Sequence, residues 1–182
     1  MKVAILADIH ANADALEAVL AKAKKVGVDR VLVLGDLIGY HHQPAEVLAL
    51  LGSWPCELIK GYHEAILQKS FQDPAELAMA TKKYGSGHRT ALEKLSRDQL
   101  DFLWQLPDTK DLEIDGLRFK LCHGSPWDRD LYVYPDAEIS ILRRCATAGY
   151  DFVLMAHTHH AFAFSHDSCH VVNPGSVGQP RD

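Results

Sequence analysis

Apolar positions fall in short unbroken runs in the first half of the chain and in alternation later. Val3 to Ala7 is a continuous apolar run ending at Asp8, and Val31 to Leu34 is another ending at Gly35-Asp36. Such runs, bounded by polar residues, read as strands buried on both faces, the pattern of a parallel sheet. Between them Ala15, Leu16, Val19, Leu20, Ala23 and Val26 recur at helical spacing, and Gly27 punctuates the end. Residues 1–36 therefore predict a βαβ unit with a right-handed crossover. A second helix starts after Pro44 and runs through Val47, Leu48 and Leu51; the strand-like Cys56 to Ile59 then adds a third strand beside the first two.

Residues 74–106 carry a helical pattern, broken at Gly85 and Gly87 and stopped by Pro107, which reads as a helical cap over about residues 70–106. The period then changes to two. Leu112 and Ile114, the Asp115-Gly116 turn, and Leu117, Phe119 and Leu121 predict an antiparallel hairpin. A helix over 137–148, a strand from Phe152 to Met155 and two shorter strands around Asp167-Ser168 complete the pattern. A chain of 182 residues suffices for one packed core and gives no ground for two. The expectation is a single α/β domain over 1–182 whose polar residues sit just beyond strand ends, where open α/β sheets place their ligands.

Composition narrows the function classes. With 47% hydrophobic and 24% charged residues the chain has globular usage. A net charge of -5 without a lysine or arginine run leaves no footprint for long nucleic acid or an anionic membrane. A small anionic substrate stays open, because a metal ion can supply positive charge locally. The opening MKVAILADIH is interrupted by Asp8 and His10 and lacks a small-residue cleavage site, so it does not read as a signal peptide. No stretch reaches membrane-spanning length. Cys56, Cys122, Cys145 and Cys169 form no CxxC pair, and they read as free thiols of a reducing cytoplasm.

Four strand ends present side chains able to hold a metal: Asp8 and His10, then Asp36, then His123, then His157 and His159. Carboxylate oxygen with imidazole nitrogen suits manganese, iron, zinc, cobalt or nickel. Alternate residues of a strand share a face, so Asp8 with His10, and His157 with His159, converge if strand geometry continues that far. Any one pair is weak, since a lone histidine is more often a core or surface residue than a ligand. The conjunction carries the expectation.

The ordered set D-x-H (Asp8, His10), G-D (Gly35, Asp36), G-x-H-E (Gly61 to Glu64), H-G-S-P (His123 to Pro126) and H-T-H (His157 to His159) resembles the calcineurin-like metallophosphoesterases. The small bacterial branch is the nearer likeness, through A-D-I-H-A-N at 7–12, G-D-L-I-G-Y at 35–40 and N-P-G-S-V-G-Q-P-R at 173–181. The likeness implies a four-layer α/β/β/α sandwich of two sheets flanked by helices. It also implies two divalent transition metal ions, manganese first: Asp8, His10 and His159 hold one, His123 and His157 the other, and Asp36 bridges. The implied reaction is hydrolysis of a small phosphate ester, diester or monoester, by metal-activated hydroxide attacking in line. His63 matches the family histidine that approaches the leaving-group oxygen as general acid or hydrogen-bond donor; against this stands a surface histidine at a helix start. Asn12 orients a ligand or caps the following helix, and Tyr40 belongs to a loop bordering the site.

The chain departs from the pattern at Tyr62, where the family has an asparagine ligand to the second metal, so the expectation is a second metal that binds weakly, recruits another group or is absent. His41 and His42 are candidate substitutes, although solvated loop histidines are the plainer account of them. The chain stops after N-P-G-S-V-G-Q-P-R-D, where relatives continue into the second sheet. A truncated second sheet exposes an edge that favours pairing with another copy. Two alternatives remain: a dinucleoside polyphosphate hydrolase using Tyr84 and His88 to stack bases, and a catalytically weak scaffold, which Tyr62 and the short C-terminus favour.

Overall fold

A computed structural model describes residues 1–181. The first half contains β1 (Val3–Leu6), α1 (Ala13–Lys25), β2 (Arg30–Val33), α2 (Pro44–Gly52), β3 (Cys56–Leu58), α3 (Tyr62–Gln72), α4 (Pro74–Tyr84), α5 (Gly87–Lys94) and α6 (Arg97–Gln105). The second contains β4 (Thr109–Ile114), β5 (Leu117–Cys122), α7 (Ile139–Cys145), β6 (Phe152–Leu154), β7 (Phe162–His166) and β8 (Cys169–Asn173). The strands form two sheets, a parallel one in the order β1-β2-β3 and a mixed one in the order β4-β5-β6-β8-β7. The second sheet, expected to be cut short, has five strands bounded by β4 and β7.

Side-chain alternation sorts these strands into layers. Ala7, Leu32, Leu34 and Ile59 meet Ile114, Leu121, Leu154 and Ala156 in a buried cluster between the sheets. Leu6, Val31 and Val33 point the other way, onto Leu16 and Leu20 of α1, Val47 of α2, Leu67 of α3 and Leu100 and Leu103 of α6. On the far side Val153, Met155 and Val171 pack on Leu142 and Cys145 of α7. The result is the expected helix–sheet–sheet–helix sandwich. Both sheets are covered on both faces, which is why their central strands read as unbroken apolar runs.

Local chemistry sets the element ends. Asn12 caps α1, its Oδ1 accepting from the Ala15 N–H at 3.1 Å. Asp115 and Gly116 both have positive φ, 52° and 79°, as a type I′ hairpin turn between β4 and β5 requires. The helical stretch differs from expectation in starting at Tyr62 and in comprising four helices. Asp73 caps α4 ahead of Pro74, Gly85 ends α4 with φ 79°, and Ser96 with Gln99 forms a capping box that starts α6. The helix expected over 137–148 is confined to Ile139–Cys145. Among the described residues no helix is long and apolar enough to cross a membrane, and all four cysteines are free thiols.

Candidate metal centre

The polar residues singled out above stand on loops just beyond β1, β2, β5 and β6, at one rim of the two sheets. Strand alternation is not what aims them, contrary to the expectation for Asp8 with His10 and His157 with His159. The strands end at Leu6 and Leu154, and the backbone then turns left-handed. The φ angles are 53° at Asp8, 52° at His10, 54° at Asp36, 71° at His157 and 64° at His159. Non-glycine residues rarely adopt such angles, each at a cost of about 1–2 kcal/mol, and they persist only where surrounding structure dictates them. That dictation is visible in hydrogen bonds between loops: His10 N to Asp36 O at 2.9 Å, Ala11 N to Leu37 O at 2.8 Å and Ala156 N to His123 O at 2.7 Å.

The side chains so placed converge. His10 Nε2 lies 3.0 Å from His159 Nε2, and His159 Nε2 lies 3.8 Å from Asp8 Oδ1. His123 Nε2 lies 3.1 Å from His157 Nδ1 and 3.3 Å from Asp36 Oδ2. Asp36 Oδ2 is also 3.9 Å from His10 Nε2, so this carboxylate stands between the two histidine pairs. Three overlapping groups have donor atoms within 4.8 Å of one another: Asp8, His10 and His159; Asp36, His123 and His157; and His10, Asp36 and His63. Backbone carbonyls orient three of the rings, with His10 Nδ1 on Ile38 O at 3.2 Å, His123 Nδ1 on Leu34 O at 2.6 Å and His159 Nδ1 on Gln179 O at 2.7 Å. Each contact holds a proton on Nδ1 and turns Nε2 toward the centre.

Electrostatics divide the donors by protonation state. Burial drives His10 down to about 3 and His157 to about 4, and it lowers His159, so these rings are neutral at neutral pH. Burial also pushes His123 down, but the Asp36 and Asp8 carboxylates outweigh it and lift that ring to about 9. Burial pushes Asp36 up, yet His123, His63 and His10 reverse this and hold it well below the usual carboxylate range. Burial keeps Asp8 well above that range.

The other predicted residues fall into distinct places. His63 is not a surface residue: it is buried on the first turn of α3, its N–H donates to Asp36 Oδ1 at 2.7 Å, and its Nδ1 has no partner among the described residues. Tyr62 flanks the centre, with its ring 5.3 Å from that of His157. Tyr40 stands edge-on to His10 at 4.8 Å. Asn12 both caps α1 and donates to Gly178 O at 3.2 Å. His41 and His42 take other partners: His41 Nε2 contacts Gly178 O at 3.1 Å and His42 Nε2 contacts Ser86 Oγ at 2.8 Å. His88 offers no stacking face to a ligand. It is fully buried and lies parallel to His63, with centroids 4.9 Å apart and an 11° interplanar angle.

Several contributors escaped notice in the sequence. Glu64, quoted only as part of G-x-H-E, is fully buried and accepts from the N–H groups of Asp36 (2.9 Å), Leu37 (2.8 Å), Ile38 (3.3 Å) and Gly61 (2.8 Å), tying the Asp36 loop to the start of α3. Tyr132 lies over His157 with centroids 3.9 Å apart, and no motif marked it. Gly39 and Gly61 are cradles: a Cβ would come 2.2 Å from His63 Nδ1 at the first and 2.2 Å from Asp36 Oδ1 at the second. Those two glycines stood inside quoted motifs and could have been found there.

The residues present fit metal ions. Asp8 Oδ1 and His157 Nε2 are buried without a partner among the described residues. Paired ring nitrogens at 3.0 and 3.1 Å around two carboxylates are a donor set that a divalent transition metal satisfies. Two facing sheets with this imidazole–carboxylate centre at their rim define a metallophosphoesterase fold. The calcineurin-like phosphoesterase superfamily domain matches residues 1–182, and the chain belongs to that superfamily. It is 29% identical over 199 residues to the uncharacterized protein MJ0912 of Methanocaldococcus jannaschii, covering 99% of this chain and 77% of that one. It is similar to the crystal structure of a metallophosphoesterase from Sphaerobacter thermophilus, with 29% identity, a TM-score of 0.78 and coverage of 100% and 79%. The hypothetical protein PH1004 from Pyrococcus horikoshii OT3 gives 26% identity, a TM-score of 0.79 and coverage of 97% and 77%.

Proposed function

We propose that the chain is a metal-dependent phosphoric ester hydrolase acting on small phosphodiesters or phosphomonoesters. The observation that carries this reading is the position of Asp36 Oδ2, 3.9 Å from His10 Nε2 and 3.3 Å from His123 Nε2, between two groups of donors. Asp8, His10 and His159 would hold one divalent transition metal, manganese first, and His123 and His157 a second, with Asp36 shared. When bound, such ions polarise phosphoryl oxygens and bring the pKa of water toward neutrality.

The chain's own residues supply the rest. Asp36 brings negative charge where two cations would repel each other, and Glu64 fixes the loop that carries it. Burial keeps the His63 imidazole neutral, its pKa well below the ordinary value. A hydrogen bond donated to the leaving-group oxygen therefore suits it better than proton transfer from an imidazolium. Tyr62 in place of asparagine leaves the second group with two histidines and a shared carboxylate, so that site is the weaker. In this reading the chain is one domain with residues 70–106 as its cap, since α4 and α5 bring Tyr84 and His88 against His63. Four free thiols support a reducing, cytoplasmic setting.

Elemental analysis of the purified protein, joined to a screen of phosphomonoesters and phosphodiesters with added manganese, tests the proposal. Metal binding with hydrolysis supports it. A protein that binds manganese but turns over no ester would favour the scaffold alternative instead.

A further inference from the structure

A cleft of about 180 Å³ opens beside the metal centre, between α3, α4 and the Arg129-Asp130 loop. Tyr62, Tyr84, Lys69, Lys83, Glu76 and Met79 line it. Two of its lining rings adjoin the site: Tyr62 lies 5.3 Å from His157 and Tyr84 lies 4.8 Å from His63, centroid to centroid. We infer that this cleft binds the base of a nucleotide, so that the site acts on nucleoside phosphate esters; the inference rests on the phosphoesterase reading above.

Size, shape and polarity agree on that occupant. At about 180 Å³ the cleft is smaller than the roughly 300–1,000 Å³ that encloses a whole drug-sized ligand. It takes one ring system and leaves the attached phosphate outside, at the metal centre. Tyr62 and Tyr84 stand nearly perpendicular, at 80° with centroids 6.4 Å apart, forming a corner that offers a planar group one face and one edge. The Tyr84 hydroxyl is shielded from solvent beside Tyr62, so the corner meets a planar group through its ring surfaces.

The charges are those of a nucleotide site. Arg129 is already tied to Asp108 and Asp130. Lys69 and Lys83 pair with no carboxylate among the described residues, and Lys83 Nζ sits 4.9 Å from the Tyr84 ring centroid. Glu76 supplies an acceptor for an exocyclic amine. A purely apolar ligand would leave both ammonium groups idle, and a sugar phosphate would leave the tyrosine corner idle. Five of the six tyrosines, Tyr40, Tyr62, Tyr84, Tyr132 and Tyr134, belong to the contact network around the metal centre and cleft.

The test compares adenosine 5′-monophosphate with ribose 5-phosphate, which share sugar and phosphate and differ only in the base. Each is titrated calorimetrically into the manganese-supplied protein, and where hydrolysis occurs the kcat/KM values are compared instead. Base stacking predicts a preference of about five- to 150-fold for the nucleotide. Tyr84→Ala should bring the ratio near one and Tyr84→Phe should keep it. Should Tyr84→Ala fail to fold, Met79→Trp fills the cleft from a position 57% exposed and should also abolish the preference. A wild-type ratio below about threefold, or a ratio that survives a folded blocking variant, overturns the inference. Ester hydrolysis without the preference overturns the cleft assignment alone, whereas nucleotide preference without hydrolysis of any ester overturns the phosphoesterase reading alone.

Discussion

Gly39→Ala separates the position of His63 from the integrity of the metal centre. Gly39 has φ +94°, and a Cβ built there lies 2.2 Å from His63 Nδ1, 3.0 Å from its Cγ and 3.1 Å from its Cε1. Ordinary contact begins at 3.4 Å, so the imidazole must retreat by about 1.2 Å, the difference of those two distances, or the Gly39 loop must move by as much. A misplacement near 1 Å costs on the order of 10²-fold in rate where geometry matters to the reaction. The left-handed backbone adds a strain of about 1–2 kcal/mol to any residue with a Cβ. The expected variant is therefore folded, melts several degrees lower, binds manganese like the parent and loses about 10²-fold in kcat with KM little changed. Metal content by elemental analysis, thermal melting and steady-state kinetics on one phosphodiester read these separately. If the variant holds its metal and keeps kcat within threefold while its structure shows the His63 ring displaced, then the location of His63 is irrelevant to turnover and its assigned role is wrong.

Other predictions concern the charges and rings around this point. Asp36→Asn should abolish hydrolysis more completely than His63→Ala, whose loss as a hydrogen-bond donor is about 10²–10³-fold; equal residual rates with metals retained in both would contradict the bridging assignment. Tyr62→Asn should raise metal occupancy and activity at limiting manganese and converge with wild type at saturation, because mass action fills a weak site; identical metal titrations of the two proteins would refute a ligand deficit there. His123, raised to about 9 beside Asp36, must lose its proton to bind a metal. Manganese affinity should therefore rise with pH up to about 9, with proton release measurable by calorimetry in buffers of different ionisation enthalpy. In the metal-free protein the stability from this ion pair is fully present below the ordinary histidine pKa of 6.5 and is lost as pH rises through about 9. His88→Phe keeps the ring stacked on His63 while removing two unpartnered buried nitrogens, and should be near neutral, whereas His88→Ala should cost roughly 2–4 kcal/mol in urea unfolding; equal losses would mean that those nitrogens have partners.

The chain's own pattern determined the order of elements, the buried parallel strands, the Asp115-Gly116 hairpin and the identity of the residues that meet at the rim. These are local properties: apolar period, turn chemistry, and motifs whose members lie within a few residues of one another. Only the tertiary structure decided how those motifs are aimed. The pleat of a strand would have pointed Asp8 with His10 and His157 with His159, but the strands stop at Leu6 and Leu154 and left-handed turns do the pointing. Those turns hold because distant carbonyls and amides, such as His10 N on Asp36 O, leave the backbone no cheaper arrangement. The same holds for Glu64, whose four donors come from the Asp36–Ile38 loop and from Gly61, and for His88, a helix residue in the sequence whose burial against His63 depends on how α5 packs. His41 and His42 show the converse, since adjacency to the motif in sequence leaves their rings on Gly178 and Ser86. Sequence spacing fixes which groups are near along the chain; which of them share a site depends on contacts between residues far apart in it, as His10 and His159 are.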